Sequence, residues 1–133
     1  MEIYESGADY SVKGYDFNDG TNKIIQCAIE VHKTLGTGFQ ELVYHRALVL
    51  EFEAAGLNFS PEVKVPIYYK GKKIHTRRVD FVAGQVIVEI KAKSEFDPQD
   101  YVQALNYVKA ANFKIGLLLN FGAPRLQIKR LVN

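Results

Sequence analysis

The sequence predicts a mixed α/β domain in which two helices precede three antiparallel strands, a third helix and a further strand. Three observations support this fold class. Apolar residues recur at helical spacing near residues 21–35, 39–55 and 98–112. Runs rich in β-branched and aromatic residues, broken by short Gly-containing turns, lie between the second and third helices. The almost wholly apolar run at 115–121 is typical of a central strand covered on both faces.

The composition describes one globular domain of 133 residues, with 47% hydrophobic and 24% charged residues. This length can bury a core without disulfides or metals. The apolar runs are too short to span a bilayer, and the N-terminus lacks the basic-then-apolar pattern of a secretion signal. The single cysteine, Cys27, falls in an apolar helical pattern and is predicted to be a buried thiol. We therefore predict a cytoplasmic protein without membrane association.

The net charge of +2 is unevenly distributed along the chain. Residues 1–20 contain five acidic residues and one lysine, a net charge of −4, so the rest of the chain carries the difference, +6. We interpret 1–20 as a weakly ordered acidic arm, with a short strand at 10–12, and 21–133 as the folded domain. A basic domain is compatible with a polyanionic partner.

The two N-terminal helices contain three candidate site residues. The first helix (21–35) has one apolar stripe that includes His32, and a histidine there is more often a core residue than a ligand. The second helix begins near 39–41 and ends near Ala55. Glu41 lies in its first turn, where the helix dipole favours a carboxylate. Tyr44 lies one turn later on the same side.

The next segment is predicted to be a pair of strands joined by a basic turn. The strands cover 63–69 and 74–82, and Pro66 in the first indicates an edge position or a bulge. The basic residues are Lys70, Lys72, Lys73, His75, Arg77 and Arg78. They form either a solvated surface or, because they come just before Asp80, a strip that contacts phosphates.

Two adjacent strands, 78–82 and 86–91, carry acidic side chains among apolar ones and are predicted to form a hairpin. Side chains alternate between the faces of a strand, so Glu89 and Lys91 point to the same side, about 6.6 Å apart along it. Asp80 can reach them from across the hairpin. Two interpretations stay open: an ion pair at the strand edge, or a divalent-metal site built from oxygen ligands.

A third helix is predicted to begin at Pro98 and to end near Asn112, with Gln103 and Tyr107 on one face. The apolar strand follows it, and 126–132 is predicted as a terminal strand or helical turn. A helix between two strands is a crossover, which favours parallel pairing. The sequence therefore predicts a mixed four- to five-stranded sheet flanked by helices, in the order ααβββαβ.

Over residues 22–133, this series of motifs resembles the PD-(D/E)XK nuclease superfamily, which has a restriction-endonuclease-like core. Within that superfamily, Gly38-Phe39-Gln40-Glu41-Leu42-Val43-Tyr44 looks like the signature of the GxxExxY family. Further matching positions are Val31-His32, Leu35-Gly36, Tyr69-Lys70-Gly71, Asp80, Glu89-Ile90-Lys91, Gln103, Asn106-Tyr107 and Asn120-Phe121-Gly122. One position departs from the pattern, because Val79 stands where the superfamily name expects proline.

The resemblance implies a nuclease that hydrolyses phosphodiester bonds of DNA, or of RNA, with Mg²⁺ or Mn²⁺ as cofactor. The implied metal ligands are Asp80, Glu89, Glu41 and the main-chain carbonyl of Ile90. The implied catalytic residues are Lys91, Glu89, Asp80, Glu41 and Gln103, with Lys91 orienting the attacking water. The predicted substrate-binding residues are Tyr107, Arg77, Arg78, Lys93, His32 and Tyr44.

A second function stays open, a non-catalytic nucleic-acid-binding or assembly module that retains the nuclease fold. Nucleic acid is the predicted partner under both hypotheses. The oligomeric state is also open, although a homodimer would suit a small nuclease that cuts two strands.

Overall fold

The computed structural model describes residues 2–5 and 20–133, with side chains described from residue 20 onward. In chain order its elements are β1 (Glu2–Glu5), α1 (Thr21–Leu35), α2 (Glu41–Ala54), β2 (Ser60–Tyr69), β3 (Lys72–Ala83), β4 (Val86–Lys91), α3 (Pro98–Ala110), β5 (Ile115–Asn120) and β6 (Gln127–Val132). The predicted order ααβββαβ is confirmed, and the terminal segment is a strand. The strand predicted at 10–12 lies outside the described residues, as does most of the acidic arm.

The strands form one six-stranded sheet in the order β1-β6-β5-β4-β3-β2. The β4–β5 pair is parallel, and every other neighbouring pair is antiparallel. Helix α3 connects the two parallel strands, as the crossover argument predicts. Strands β2 to β6 are the mixed sheet predicted from the sequence, and β1 adds a short strand at one edge.

The sheet is buried between helices on both faces. Val88 and Ile90 of β4 pack in the large core formed with α1 and α2, whereas Ile87 packs in the cluster beneath α3. All six residues of β5 are buried, which confirms the prediction of a central strand covered on both faces. Cys27 is buried, as predicted, and burial raises the pKa of its thiol. In the part of the chain that the structure describes, no helix is long and apolar enough to span a membrane.

Local chemistry fixes where α3 begins, and α3 follows directly on the strand that carries Lys91. Pro98 occupies the first turn, where its missing N–H leaves no hydrogen bond unmade. The side chain of Asp97 accepts hydrogen bonds from the backbone N–H groups of Gln99 and Asp100. This capping box ends the β4–α3 loop at a defined point.

Candidate active site

The acidic residues of β3 and β4 meet where these two strands stop pairing. The β3–β4 register contains three pairs, which run from Phe81–Val88 to the turn. Beyond them, the backbone N–H of Ile90 donates a hydrogen bond of 2.8 Å to Oδ2 of Asp80. A carboxylate therefore takes the place of the next backbone acceptor, which fixes Asp80 at the point where the strands separate.

The regular alternation of β3 is broken at Asp80. Val79 packs with the cluster beneath α3, whereas Phe81 packs with the core on the opposite side of the sheet. Residues two apart in a regular strand share a face. Opposite Asp80 in β2 lies Glu62, whose positive φ of 53° departs from extended backbone. This irregularity leaves the β2–β3 register unshifted, but it turns the side chains on either side of Asp80 to opposite faces of the sheet.

Glu89 is the most perturbed acidic group of the site. Its Oε2 accepts a 3.4 Å hydrogen bond from Arg77, whose guanidinium lies 4.1 Å from the centre of the Tyr107 ring. Its Oε1 is buried without a hydrogen-bond partner. Burial is the main cause that raises the pKa of Glu89 to about 7; Asp80 and Glu41 add to this effect, while Arg77 and Lys91 oppose it. A large fraction of Glu89 is therefore protonated at neutral pH.

Glu41 brings a third carboxylate to the same region from the first turn of α2. Burial raises the pKa of Glu41 above its usual range; Asp80 raises it further, and Lys91 lowers it. These three carboxylates and Lys91 are thus electrostatically coupled. Beside them lies an open cleft of about 290 Å³, lined by Glu41, Leu42, His45, Glu62, Arg78, Val79 and Asp80.

His45 is a site residue that the sequence analysis missed. Its Nδ1 lies 3.4 Å from Oδ1 of Asp80, and its ring stacks on Phe81 with 4.4 Å between ring centroids. The available signal was spacing, since His45 follows Glu41 by four residues and so shares its side of α2. His45 contacts the carboxylate oxygen of Asp80 that Ile90 leaves unbonded.

Tyr44 is fully buried and does not line the cleft. Its hydroxyl donates a 2.7 Å hydrogen bond to the carbonyl of Gly36 and accepts a 3.3 Å bond from the N–H of Phe39. Its ring stacks on Phe121 at a centroid distance of 4.7 Å. Tyr44 therefore holds the loop between α1 and α2, and with it the start of the helix that carries Glu41.

His32 lies in the core, as its place in the apolar stripe of α1 favoured. It is 1% exposed, and its Nε2 lies 2.9 Å from the carbonyl oxygen of Ala123. Its ring neighbours Phe121, with 6.3 Å between the ring centroids. The structure brings neither His32 nor Tyr44 into the cleft.

The Asn120-Phe121-Gly122 motif holds the end of β4. Asn120 exchanges hydrogen bonds with both backbone groups of Lys93, each at 3.0 Å, and the N–H of Phe121 donates to the carbonyl of Lys91 at 2.9 Å. A side chain at Gly122 would lie 2.4 Å from the carbonyl oxygen of Lys93. The motif therefore fixes the backbone from which Lys91 projects.

All three predicted substrate-binding cations pair with carboxylates: Arg77 with Glu89, and Lys93 and Arg78 with acidic residues outside that contact. Nζ of Lys93 lies 2.8 Å from Asp100 and 2.9 Å from Asp97, and these hydrogen bonds raise the pKa of Lys93. Lys93 is thus paired with two aspartates at the start of α3. Arg78 lines the cleft and pairs with Glu62 at 2.8 Å.

The remaining predicted pair lies on α3. The ring of Tyr107 stacks on the guanidinium of Arg77, which in turn pairs with Glu89. Gln103 lies one turn earlier with an exposed side chain. Among the described side chains, Arg77 is the one that hydrogen-bonds Glu89, so Gln103 lies outside this group.

The residues present fit a divalent cation, although in this arrangement Glu89 and Asp80 contact other groups of the protein. Within residues 20–133, no three His, Cys, Asp or Glu side chains converge closely enough to hold an ion. Glu89 faces Arg77, and Asp80 faces His45 and the backbone of Ile90. The donors are nevertheless carboxylate oxygens, which suit Mg²⁺ and Mn²⁺, and the buried Oε1 of Glu89 lacks any hydrogen-bond partner.

Comparison with known proteins identifies the family. A family model for the PD-(D/E)XK nuclease superfamily matches residues 18–131, which is most of the chain and includes every residue of the cleft. No curated protein and no solved structure gives a significant match. The superfamily predicted from the sequence motifs is confirmed.

Proposed function

The chain belongs to the PD-(D/E)XK nuclease superfamily, and from this premise we propose that it is a metal-dependent nuclease that hydrolyses phosphodiester bonds. The observation that carries this proposal is the state of Glu89. Its carboxylate is buried beside Asp80 and within electrostatic reach of Glu41, and one of its oxygens has no partner. Such a carboxylate is costly unless a proton or a cation neutralises it. A divalent cation would relieve this cost.

Asp80, Glu89 and Glu41 are the side chains that would hold the ion, with the carbonyl of Ile90 as a further ligand. When bound, Mg²⁺ or Mn²⁺ would act as a Lewis acid toward the phosphate and lower the pKa of a coordinated water. His45 lies beside Oδ1 of Asp80. It would orient that carboxylate, as outer-shell groups do for metal ligands.

The cationic side chains would act on the phosphate. Lys91 lies on β4 two residues after Glu89 and would orient the attacking water and stabilise negative charge in the transition state. Arg77 is already oriented by its contact with Tyr107. Once Glu89 engages a cation, the guanidinium of Arg77 would be free to contact a phosphate oxygen.

Within the superfamily, we assign the chain to the GxxExxY family. Two residues of its signature have different roles here. Tyr44 holds the loop before α2 by a hydrogen bond, and Glu41 lies close enough to Asp80 and Lys91 for both to shift its pKa. We further propose a cytoplasmic location, which suits the single buried thiol of Cys27. A homodimer is the proposed form, because it would supply one site for each strand of a duplex.

The test is cleavage by purified protein of duplex DNA, single-stranded DNA and RNA, with Mg²⁺, Mn²⁺ or EDTA. We expect metal-dependent cleavage that is lost in Glu89→Gln and in Lys91→Ala and retained in Glu53→Gln, an isosteric change at an exposed position of α2. Equal cleavage, or equal absence of cleavage, in the wild type and both site variants would refute the proposal.

One observation favours the alternative of a non-catalytic nucleic-acid-binding module. Arg77 already pairs with Glu89, so a side chain of the protein itself neutralises part of the acidic charge. Calorimetric titration of Mn²⁺, with and without a short DNA duplex, separates the two functions. Saturable binding that disappears in the Asp80→Asn, Glu89→Gln double variant supports the nuclease, and absence of binding in both conditions supports the module.

A further inference from the structure

We propose that the projecting hairpin of β2 and β3 inserts into the major groove of duplex DNA and leads its backbone to the acidic cleft. We call residues 63–79 the ribbon. The inference rests on the proposed function and names its substrate class, double-stranded DNA.

The ribbon extends well beyond the sheet. β2 has 10 residues and β3 has 12, but β3 pairs with β4 only over Phe81–Ala83. The strands of the ribbon therefore pair mainly with each other. Lys70 and Gly71 form the turn with φ values of 48° and 79°, and two consecutive positive values are typical of a tight type I′ turn. The tip of the ribbon is consequently narrow.

The ribbon is the most basic segment of the domain. Residues 63–79 contain six lysines and arginines and no acidic residue. Arg77 and Arg78 pair with carboxylates outside the ribbon. The other cations are four exposed lysines, and no carboxylate in the described part of the chain pairs with them: Lys64, Lys70, Lys72 and Lys73. Clustered unpaired cations attract a polyanion.

The base of the ribbon is rigid on one face and open on the other. Val65 and Ile67 are buried in the cluster beneath α3, which fixes the ribbon against the domain. Lys64 and Arg78 are direct neighbours in the β2–β3 register and lie on the opposite face. Arg78 also lines the cleft with Asp80. The open face therefore continues from the ribbon into the acidic cleft.

The tip of the ribbon has the dimensions and side chains of a groove-binding element. Every residue from Tyr68 to His75 is exposed, and Tyr68, Tyr69 and Ile74 are 50%, 59% and 65% exposed. Paired strands lie about 4.8 Å apart, and a two-stranded ribbon fits the major groove of B-form DNA, which is about 12 Å wide. The major groove of double-stranded RNA is too deep and narrow for side chains to read. Duplex DNA is therefore the partner that this shape and charge fit best.

The experiment measures binding of a fluorescent 20-base-pair DNA duplex, and of an RNA duplex of the same sequence, by anisotropy in EDTA over a range of salt. The test variant is Lys72→Ala, Lys73→Ala at the tip, and the matched control is Lys23→Ala, Lys33→Ala, which removes the same charge from exposed positions of α1. Circular dichroism shows that each variant is folded.

We expect wild-type protein to bind the DNA duplex at least about 10-fold more tightly than the RNA duplex. The tip variant should lose about 10-fold or more in DNA affinity near 0.1 M salt, and its salt dependence should be less steep by about 2, because each lost phosphate contact reduces the slope by about 0.9. The control should stay within about 2-fold of wild type. Equal losses in both variants, equal affinity for the two duplexes, or an unchanged tip variant would each overturn the inference.

The inference and the proposed function can fail separately. If the tip variant loses affinity for duplex DNA but the wild type cleaves no substrate with Mn²⁺, the ribbon inference holds and the nuclease proposal fails. If the tip variant binds and cuts duplex DNA as wild type does, with metal, the nuclease proposal holds and the ribbon inference fails.

Discussion

Replacement of Glu89 by glutamine should stabilise the metal-free protein above neutral pH. The ordinary pKa of a glutamate is 4.5, and burial, with Asp80 and Glu41, raises that of Glu89 to about 7 against the opposing effects of Arg77 and Lys91. The folded protein therefore holds this proton over a pH range in which the unfolded chain has released it. This proton therefore stabilises the folded protein relative to the unfolded chain. The contribution is fully present below pH 4.5 and is lost as the pH rises through about 7.

The magnitude follows from the size of this rise. One pKa unit corresponds to about 1.4 kcal/mol, so the rise from 4.5 to about 7 corresponds to about 3 kcal/mol of unfolding free energy. The side chain of Glu89 is only 15% exposed, so solvent screening reduces this value little. The amide that Glu89→Gln introduces cannot ionise, so the variant does not lose this unfolding free energy as the pH rises. The opposing effect of Arg77 is already contained in the pKa of about 7.

The assay is urea unfolding in EDTA at pH 4.5, 6 and 8, for wild type, Glu89→Gln and the exposed control Glu53→Gln. The stability of Glu89→Gln relative to wild type should rise by about 3 kcal/mol between pH 4.5 and pH 8, whereas that of the control should stay constant. A Glu89→Gln difference that is independent of pH would refute the argument that Glu89 is a buried, poorly neutralised acid. At pH 8, added Mn²⁺ should stabilise wild type and leave Glu89→Gln unchanged.

Three further changes test the structure around the site by thermal unfolding. Tyr44→Phe should cost about 1–2 kcal/mol, because the carbonyl of Gly36 loses a buried 2.7 Å hydrogen bond; an unchanged midpoint would show that water satisfies this carbonyl. Gly122→Ala should cost about 2 kcal/mol or more, since its Cβ would lie 2.4 Å from backbone of Lys93; a neutral result would mean that this loop shifts freely. Lys70→Asn should add about 0.5–1 kcal/mol, because asparagine suits the left-handed φ of 48° better than lysine; destabilisation would argue against a type I′ turn.

The sequence predicts the order of elements well because local periodicity determines it. The apolar run at 115–121 becomes a strand buried along its length, and Pro98 begins α3 as its missing N–H suggests. Glu89 also lies among the groups expected around it, Asp80 and Lys91. These features depend on residues close in sequence or on the crossover rule for parallel strands. The pairing of β1 with β6 depends on residues from opposite ends of the chain, which no local pattern reports.

The sequence predicts the individual contacts of the site less well. Strict alternation would place Val79 and Phe81 on one face, whereas the irregularity at Asp80 separates them. His45 was missed because apolar periodicity does not distinguish a buried histidine that packs on Phe81 from one that also faces a carboxylate. Lys93 pairs with two aspartates at the start of α3. Its position two residues after Lys91 does not show whether it contacts these aspartates or a substrate.

The matched motifs divide into residues that would act on substrate and residues that hold them in place. Tyr44 fixes the loop before Glu41, and Asn120 fixes the backbone just after Lys91. Both lie in the core, so their substitution should move a site residue without removing a charge. Arg77 belongs to neither class, because in this arrangement it pairs with Glu89 and stacks on Tyr107.

A cation bound by Glu89 would therefore change the role of Arg77 as well as the charge of the site. The guanidinium also stacks on Tyr107 at 4.1 Å, a contact that does not depend on Glu89, so the release of Arg77 would require a change of partner rather than of position. Arg77→Lys would keep the charge but lose the planar surface that stacks on tyrosine. If Arg77 contacts the phosphate in this way, Arg77→Lys should weaken substrate affinity in the presence of metal and leave Mn²⁺ affinity unchanged. An equal loss of both affinities would instead show that Arg77 serves to orient Glu89.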